Sequence, residues 1–396
     1  MSPAAKPRLL LLTQWFDPEP TFKGLVFARE LVRQGFDVEV VTGFPNYPGG
    51  KVYAGYKIKL IQRERIDGVE VTRLPLYPNH DQSAIKGVLN YASFAASALF
   101  YGLFMAKRAD VMYAYHPPLT VGVAASLIRW VRGIPLVYDI QDMWPDTLRA
   151  TGMLNNPRAL SLVGRVCDWV YRRVDQVVVL SPGFKRLLVQ RDVPESKIEV
   201  IYNWADESAL STPTGILAAN FPGDDRFKIV FAGNMGKAQA LDAVLQAAEI
   251  LQRRGSRVCF VMLGGGVEVG RLKERTNALA LDNVVFLPAV PMAEVGTVLS
   301  AADALLVHLR KDPLFEITIP SKTQAYMAVG RPLLMAVNGD AADLVTQSNS
   351  GLTAESENPL ALADAARQFY QERLGLAVGA GRFGDIFKAL ASRAKG

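Results

Sequence analysis

"DPLFEITIPSKTQAYMAVGRPLLMAV", residues 312 to 337, follows the apolar run "ALLVHLR" and reads with it as strand, loop, helix and strand. Met327, Ala328 and Val329 close on Gly330, and Arg331 and Pro332 follow, which are the stop signals of a helix C-terminus. Ser321 is then an N-cap candidate, with the first-turn amides pointing into the loop. Lys322 beside such an end makes a ready phosphate site, because free N–H groups and the macrodipole both favour negative charge there. A solvated surface lysine is an equally open reading of the segment alone.

The same alternation runs the length of the chain. "RLLLLTQ", "DVEVVTG", "VTRLPLY", "DVMYAYH", "PLVYDI", "QVVVLS" and "KIEVIYN" lie in the first half, and "FKIVFAGN", "VCFVMLGG", "NVVFLPAV", "ALLVHLR" and "PLLMAV" in the second, with helix-length segments between them. Apolar strands separated by helices predict an α/β fold of two doubly wound, Rossmann-like parallel-sheet domains. The composition breaks at "DESALSTPTGILAANFPGDDR", so the domains are placed at 1–205 and 206–396, with a C-terminal helix expected to return to the first domain. Ligands in such folds sit at the C-terminal ends of the strands, and two facing domains would make one cleft.

With 396 residues, half of them hydrophobic and 21% charged, the chain can bury two cores. Cys167 and Cys259 sit inside apolar patterns and read as core residues in a reducing compartment. The apolar run after "MSPAAKPR" is too short for a signal peptide and reads as a first buried strand, which predicts a cytoplasmic protein. Residues 1–200 hold 25 Lys and Arg against 18 Asp and Glu, whereas the rest holds 19 against 20. That asymmetry predicts a negatively charged partner such as an anionic membrane surface. No arginine-rich helix or aromatic-basic sheet motif supports nucleic acid. Val88 to Ala106 carries no charge and is flanked by Lys86 and Lys107-Arg108. Lying between strands of one sheet, it reads as a buried or membrane-interfacial helix and not as a span.

Four strand-to-helix junctions stand out. "QWFDPEPTFKG" brings Gly24 to a helix entry, where backbone can approach a ligand. "AYHPPLTVG" places His116 at a strand end, ahead of two prolines. "YDIQDMWPD" offers Asp142 and Trp144, with Asp139 and Asp146; these carboxylates suit hydroxyls better than a metal, since no further ligand cluster accompanies them. "FAGNMGKAQALDAV" sets Gly233, Asn234, Gly236 and Lys237 between strand and helix, a composition that suits a diphosphate. Neither this loop nor "MLGGGVEVG" is a Walker or dinucleotide fingerprint.

In order and spacing, "QWFDPEPTFKG", "VVTGFPNYPGGK", "AYHPPLTVG", "DIQDMWPD", "VVVLSPGFK", "IYNWAD", "FAGNMGKAQALD" and "IPSKTQAYMAVGRP" resemble the retaining family-4 glycosyltransferases of GT-B fold over nearly the whole chain. Among these the chain is most similar to bacterial surface-polysaccharide and O-antigen enzymes, the L-fucosaminyl transferase type. The resemblance implies a UDP-sugar donor as substrate, with no cofactor and no metal. It also implies an undecaprenyl-diphosphate-linked sugar as acceptor, and peripheral attachment to the inner face of the plasma membrane. It assigns the donor to Gly233, Asn234, Gly236, Lys237, Ser321, Lys322 and Gln324, the acceptor to Gly24, Asp142 and Trp144, and catalysis to His116 and Glu316. Retention in this family is thought to proceed by front-face attack, which asks for cations and helix amides on the leaving diphosphate rather than a base and nucleophile pair.

The chain departs from the family where two glutamates usually stand with seven residues between them. Counting from Glu316 reaches Gln324, and aligning "AYMAVG" puts Ala325 and Ile317 at the two positions, so the second glutamate is absent either way. Gln324 is then the candidate for a ribose hydroxyl. The family's usual lysine after the glycine-asparagine step is displaced, with Gln239 near its place and Lys237 as substitute. Two other readings stay open on these residues: a sugar-nucleotide 2-epimerase of the same architecture, and a non-catalytic scaffold of polysaccharide assembly.

Overall fold

The computed structural model describes residues 6–21, 23–47, 49–79, 84–205, 207–210 and 221–374. Its contacts divide the chain into two units, Met1–Tyr202 and Asn203–Gly396. Residues 375–396, on which the expectation of a returning C-terminal helix falls, lie outside the described residues.

The first unit is built on β1 (Arg8–Leu12), β2 (Asp37–Gly43), β3 (Gln62–Ile66), β4 (Val69–Leu74), β5 (Val111–His116), β6 (Leu136–Ile140), β7 (Gln176–Val179) and β8 (Ile198–Val200). These form one sheet in the order β3-β4-β2-β1-β5-β6-β7-β8. Every pair is parallel except β3 with β4. The central strands are continuous apolar runs because helices cover both faces. Leu9, Leu11, Val38, Val40 and Val71 pack with Phe16 and Ala28 into one cluster.

β3 is the strand that the apolar pattern did not predict. "QRERI" is mostly charged and alternates in burial, as an edge strand does when it shields a sheet from further pairing. Its turn is Asp67-Gly68, both at positive φ, the dipeptide that a two-residue hairpin favours. Beside it Arg73 on β4 is fully buried. Its guanidinium donates to Glu64 at 2.5 Å, to the Asp17 carbonyl at 2.5 Å and to the Gly43 carbonyl at 3.4 Å, and lies over the Tyr56 ring. One side chain thus ties the end of β2 and the middle of β3 to the loop after β1.

The second unit holds β9 (Phe227–Ala232), β10 (Val258–Leu263), β11 (Val284–Leu287), β12 (Ala304–His308), β13 (Leu333–Ala336) and β14 (Gly351–Thr353). All are parallel, in the order β11-β10-β9-β12-β13-β14. β14, only three residues long, also escaped the pattern. Gly351 is required there, since a Cβ would fall 1.9 Å from the Leu333 carbonyl oxygen. The helix Pro359–Leu374 packs with the helix Asp242–Arg253 over this sheet, and Leu362, Ala363, Ala366 and Phe369 join Val244, Leu245, Ala248 and Leu251 in its core. Cys167 and Cys259 are buried and unpaired, one in each unit.

The buried Arg73 gives the first test of this architecture. Arg73→Ala leaves Glu64 and two carbonyls without their cation, and should cost about 3 kcal/mol in urea denaturation, the lower end for breaking a buried pair. A loss under about 1 kcal/mol would mean that water reaches these groups instead.

Candidate functional site

In the second unit the loops after β9 and β10 and the helix Ser321–Val329 converge at one sheet edge. The helix begins at Ser321 itself; Pro320 occupies the cap position and no side chain caps it. The expectation of Ser321 as N-cap is corrected accordingly, because Pro320 already holds extended φ and ψ. The end predicted at Gly330 is present, with left-handed φ of 72°.

Lys322 stands in the first turn of this helix. Its Nζ is buried, has no hydrogen-bond partner, and lies 3.7 Å from the centroid of the Phe231 ring. It is 3.6 Å from where a Cβ on Gly233 would be, so it faces the glycine loop. Burial pushes its pKa down to about 7. An ammonium held without a counter-charge against uncapped helix amides is a site that gains by receiving an anion.

The glycines of the two loops are there for contact with each other. The Gly233 amide donates to the Leu263 carbonyl at 2.9 Å and the Met235 amide to the Gly265 carbonyl at 2.7 Å. A Cβ on Gly264 would fall 2.1 Å from the Gly233 carbonyl oxygen, and one on Gly266 2.7 Å from Asn234 Oδ1. "MLGGG" is therefore no nucleotide fingerprint, yet it shapes the loop that carries Gly233 and Asn234. Tyr326 completes the frame. Its buried hydroxyl accepts from the Ala232 amide at 2.8 Å and donates to the Ala232 carbonyl at 3.2 Å, pinning the helix to the end of β9.

Other predicted donor residues are placed differently. Lys237 is exposed, on the rim of a cavity of about 300 Å³ lined also by Gly236, Asp242, Glu268, Arg271 and Arg310. Asp242 is already bound by Arg271 and Arg275. Gln239, in the place of the family's usual lysine, accepts from the Gly236 amide through its side chain at 2.9 Å. Gln324 turns its side-chain amide back on its own helix; the end facing the Ser321 carbonyl at 3.0 Å and the Pro320 carbonyl at 3.1 Å is assigned as nitrogen, since both neighbours only accept. Glu316 ends the short helix Pro313–Glu316, half-exposed, with its backbone pressed on Gly339.

His308 was missed. It ends β12, is buried, and its Nδ1 lies 2.7 Å from the Gln239 carbonyl, which can only accept; the ring is therefore protonated there and Nε2 is a bare acceptor without a partner. Burial lowers its pKa, and Lys322 contributes in the same direction. The signal that singled out His116, a histidine at a strand end, was equally present here.

In the first unit the C-terminal sheet edge collects the other candidates. His116 is buried, edge-on to Trp144 at 5.5 Å and Tyr138 at 5.9 Å, with Nδ1 unpartnered. Burial pushes its pKa down to about 3, so the ring is neutral at ordinary pH. Burial likewise lifts the Asp142 carboxyl to about 6. Gly24 precedes the helix Leu25–Arg33, and the close approach there is made by Asp17, whose carboxylate accepts from the Leu25 amide at 2.6 Å and would sit 2.2 Å from a Cβ on Gly24. The three aspartates do not form a metal set. Asp139 is buried with Lys23 at 3.6 Å and accepts from Tyr113 and Gln141, while Asp146 is held by Arg191. No group of three or more His, Cys, Asp or Glu that could hold a metal occurs among the described residues.

Tyr326→Phe tests the frame. It leaves the Ala232 amide buried without an acceptor, and should cost about 1–3 kcal/mol in thermal or urea unfolding. An unchanged stability would show that the helix N-terminus is held by packing alone.

The model of the glycosyl transferase 4-like domain matches residues 25–204, and that of glycosyl transferases group 1 matches residues 226–372. WbjE of Pseudomonas aeruginosa, described as a probable glycosyltransferase, is 25% identical over 265 residues, 65% of this chain and 65% of its own length. WcaI of Escherichia coli strain K12, described as a colanic acid biosynthesis glycosyl transferase, is 26% identical over 315 residues, 76% of this chain and 75% of its own. Among solved structures, a sucrose-phosphate synthase of Thermosynechococcus elongatus superposes with a TM-score of 0.67 at 15% identity, covering 98% of this chain and 100% of that one. Anabaena HepE, solved in complex with UDP, gives 0.59 at 16% identity over 97% and 100%. With one of these two domain models on each of its parallel-sheet units, the chain belongs to the glycosyltransferases of GT-B fold.

Proposed function

We propose that the protein is a retaining glycosyltransferase of bacterial surface-polysaccharide synthesis. It moves a sugar, of the N-acetylated 6-deoxyhexosamine class, from a UDP-sugar to an undecaprenyl-diphosphate-linked sugar at the cytoplasmic face of the plasma membrane. The observation that carries this reading is the buried, unpartnered Lys322 ammonium at an uncapped helix N-terminus facing Gly233. A nucleoside diphosphate supplies the missing negative charge, and HepE, of the same fold, was solved with UDP.

The chemistry follows from what these groups can do. When the bond from sugar to diphosphate breaks, charge develops on the departing phosphate. Lys322 and the free amides of the first helical turn stabilise that charge without having to rearrange. The acceptor hydroxyl passes its proton to the departing phosphate, so the donor unit needs no general base. The acceptor sugar binds the C-terminal edge of the first unit. There the neutral His116 offers a hydrogen-bonding ring, and Asp142, partly protonated near neutrality, accepts from or donates to hydroxyls. The similarity to WcaI, described for colanic acid biosynthesis, supports a pathway of polysaccharide assembly.

Titration calorimetry tests the donor half. Lys322→Ala should weaken UDP-sugar binding by roughly 1.5 to 3 kcal/mol, the range for a charge-assisted bond. With a free-state pKa of about 7, the wild type should bind a UDP-sugar more weakly as pH rises above 7, because the charged lysine is the binding form, and should take up a proton on binding. A flat pH profile, or unchanged affinity in the variant, would remove Lys322 from the site.

His116→Ala should lower turnover about 10²-fold or more with UDP affinity intact, read by the mass shift of a short-chain prenyl-diphosphate-linked acceptor. Full retention of rate would make His116 structural. In the same assay an epimerase would alter the UDP-sugar without acceptor, and a scaffold would not bind UDP.

A further inference from the structure

We propose that the outer face of the helix Ala84–Phe104 docks flat on an anionic lipid bilayer. The proposal gives the lipid-linked acceptor of the reading above a defined approach, but it stands on the surface of the first unit alone.

The stretch Lys86–Phe104 is long and apolar enough to cross a membrane, yet only 28% of it is buried in the protein. It is not free to cross, because its inner face is bonded to the sheet and its loops. Asn90 Nδ2 donates to the Tyr77 carbonyl at 2.6 Å, Ser97 Oγ to the Pro75 carbonyl at 2.8 Å and Tyr101 Oη to Glu39 Oε1 at 2.7 Å. Phe94 and Ala98 are fully buried between them. The expectation of a core helix is thus met on one face only.

The other face is apolar and open. Leu89 is 50% exposed, Phe100 59% and Phe104 72%, and Ala92 and Ala96 are exposed between them. At 3.6 residues per turn these five fall within an arc of about 120° along the whole helix. A second helix, Leu119–Arg132, runs beside it in the same direction: Thr120 Oγ donates to the Tyr91 carbonyl at 3.2 Å, and Arg132 Nη1 to the Gly102 carbonyl at 2.7 Å. Gly102 makes this fit possible, as a Cβ there would fall 2.3 Å from Ile128 Cδ1. The second helix exposes Trp130 at 76% and Val131 at 61% near its own C-terminal end, while on the first helix the rings of Phe100 and Phe104 are 5.2 Å apart. Single exposed apolar residues are ordinary; a continuous helix face carrying Leu89, Phe100 and Phe104 is an interaction site.

Charge decides the occupant. Residues 82–109 contain no Asp or Glu, and their basic residues, Lys86 at one end and Lys107 and Arg108 at the other, are all exposed. A second copy of the same face would bring like charges together, whereas anionic headgroups complement them and accept Phe at the interfacial depth. The orientation matters too. The N-terminal part of the helix reaches the loops at the C-terminal sheet edge, where Gln14 Nε2 donates to Asn90 Oδ1 at 2.6 Å. That is the edge carrying His116 and Asp142. A helix lying in the bilayer surface therefore brings this edge to headgroup level.

Vesicle co-sedimentation tests this, with phosphatidylcholine alone against phosphatidylcholine mixed with phosphatidylglycerol. The wild type should bind the anionic vesicles at low salt and keep part of that binding at high salt. Leu89→Ser, Phe100→Ser and Phe104→Ser combined should lose the salt-resistant part and weaken binding about tenfold or more, with melting temperature and UDP affinity unchanged. Lys107→Glu with Arg108→Glu, at exposed positions outside any packing, should remove the salt-sensitive part and keeps the test valid if the serine variant unfolds. Wild type that ignores anionic vesicles at low salt overturns the proposal, as does undiminished binding in both variants. So does a wild-type dimer in light scattering that the serine variant dissolves, since the face would then be an interface between copies. Failure to bind UDP with vesicle binding intact would sink the donor reading and leave the docking face standing.

Discussion

The paired bond between the Tyr326 hydroxyl and the amide and carbonyl of Ala232 is the constraint around which the second unit's site is arranged. A parallel strand normally gives its last backbone groups to a neighbouring strand or to water. Here one buried phenol takes both, so the helix start cannot slide relative to the strand end. Gly233, next in the chain, then meets the loop after β10 at distances that only glycines at 264 and 266 permit. Lys322 follows from the same frame, since a residue four before Tyr326 lies one turn away on the same side of the helix. Its ammonium is carried onto Phe231 with nothing else to bond.

The two units treat buried charge in opposite ways. In the first, Arg73, Glu19 and Asp139 are buried but supplied: Glu19 accepts from the Asn46 and Tyr47 amides at 2.7 Å, and Asp139 has Lys23, Tyr113 and Gln141. Such satisfied groups hold long loops in one conformation, because each alternative would strand a charge. In the second unit Lys322 and His308 are left with unpartnered buried nitrogens. Unsatisfied groups weaken the free protein and strengthen a complex that satisfies them. The buried charges of the first unit thus hold its loops in shape, while the buried Lys322 ammonium of the second is open to an anion.

The residues at the C-terminal sheet edge of the first unit show how burial alters chemical character without any special partner. His116 sits among Trp144 and Tyr138, which cannot stabilise an imidazolium enough to offset its desolvation, and it stays neutral. Asp142 moves the other way for the same cause, because the charged form of a carboxylate is its deprotonated one. A neutral ring and a carboxyl that titrates near pH 6 suit the recognition of uncharged hydroxyls.

By itself the sequence determined the two-unit α/β architecture, since strands buried on both faces must be continuous apolar runs and those runs are plain in the text of the chain. It also determined the helix ending at Gly330 and the loop at 233–237, because turn chemistry and helix ends are local. It did not reveal β3, whose edge position calls for charge rather than apolar alternation, nor β14, too short to show a pattern. Tertiary structure alone decided which groups are left unpaired. That His308 Nε2 and Lys322 Nζ lack partners, that Gln324 folds onto its own helix, that Asp17 fills the space beside Gly24, and that one face of residues 84–104 is sealed while the other is open, all depend on atoms distant in the chain. Whether a polar group is satisfied is a property of its neighbours in space, and a linear text holds only its neighbours in sequence.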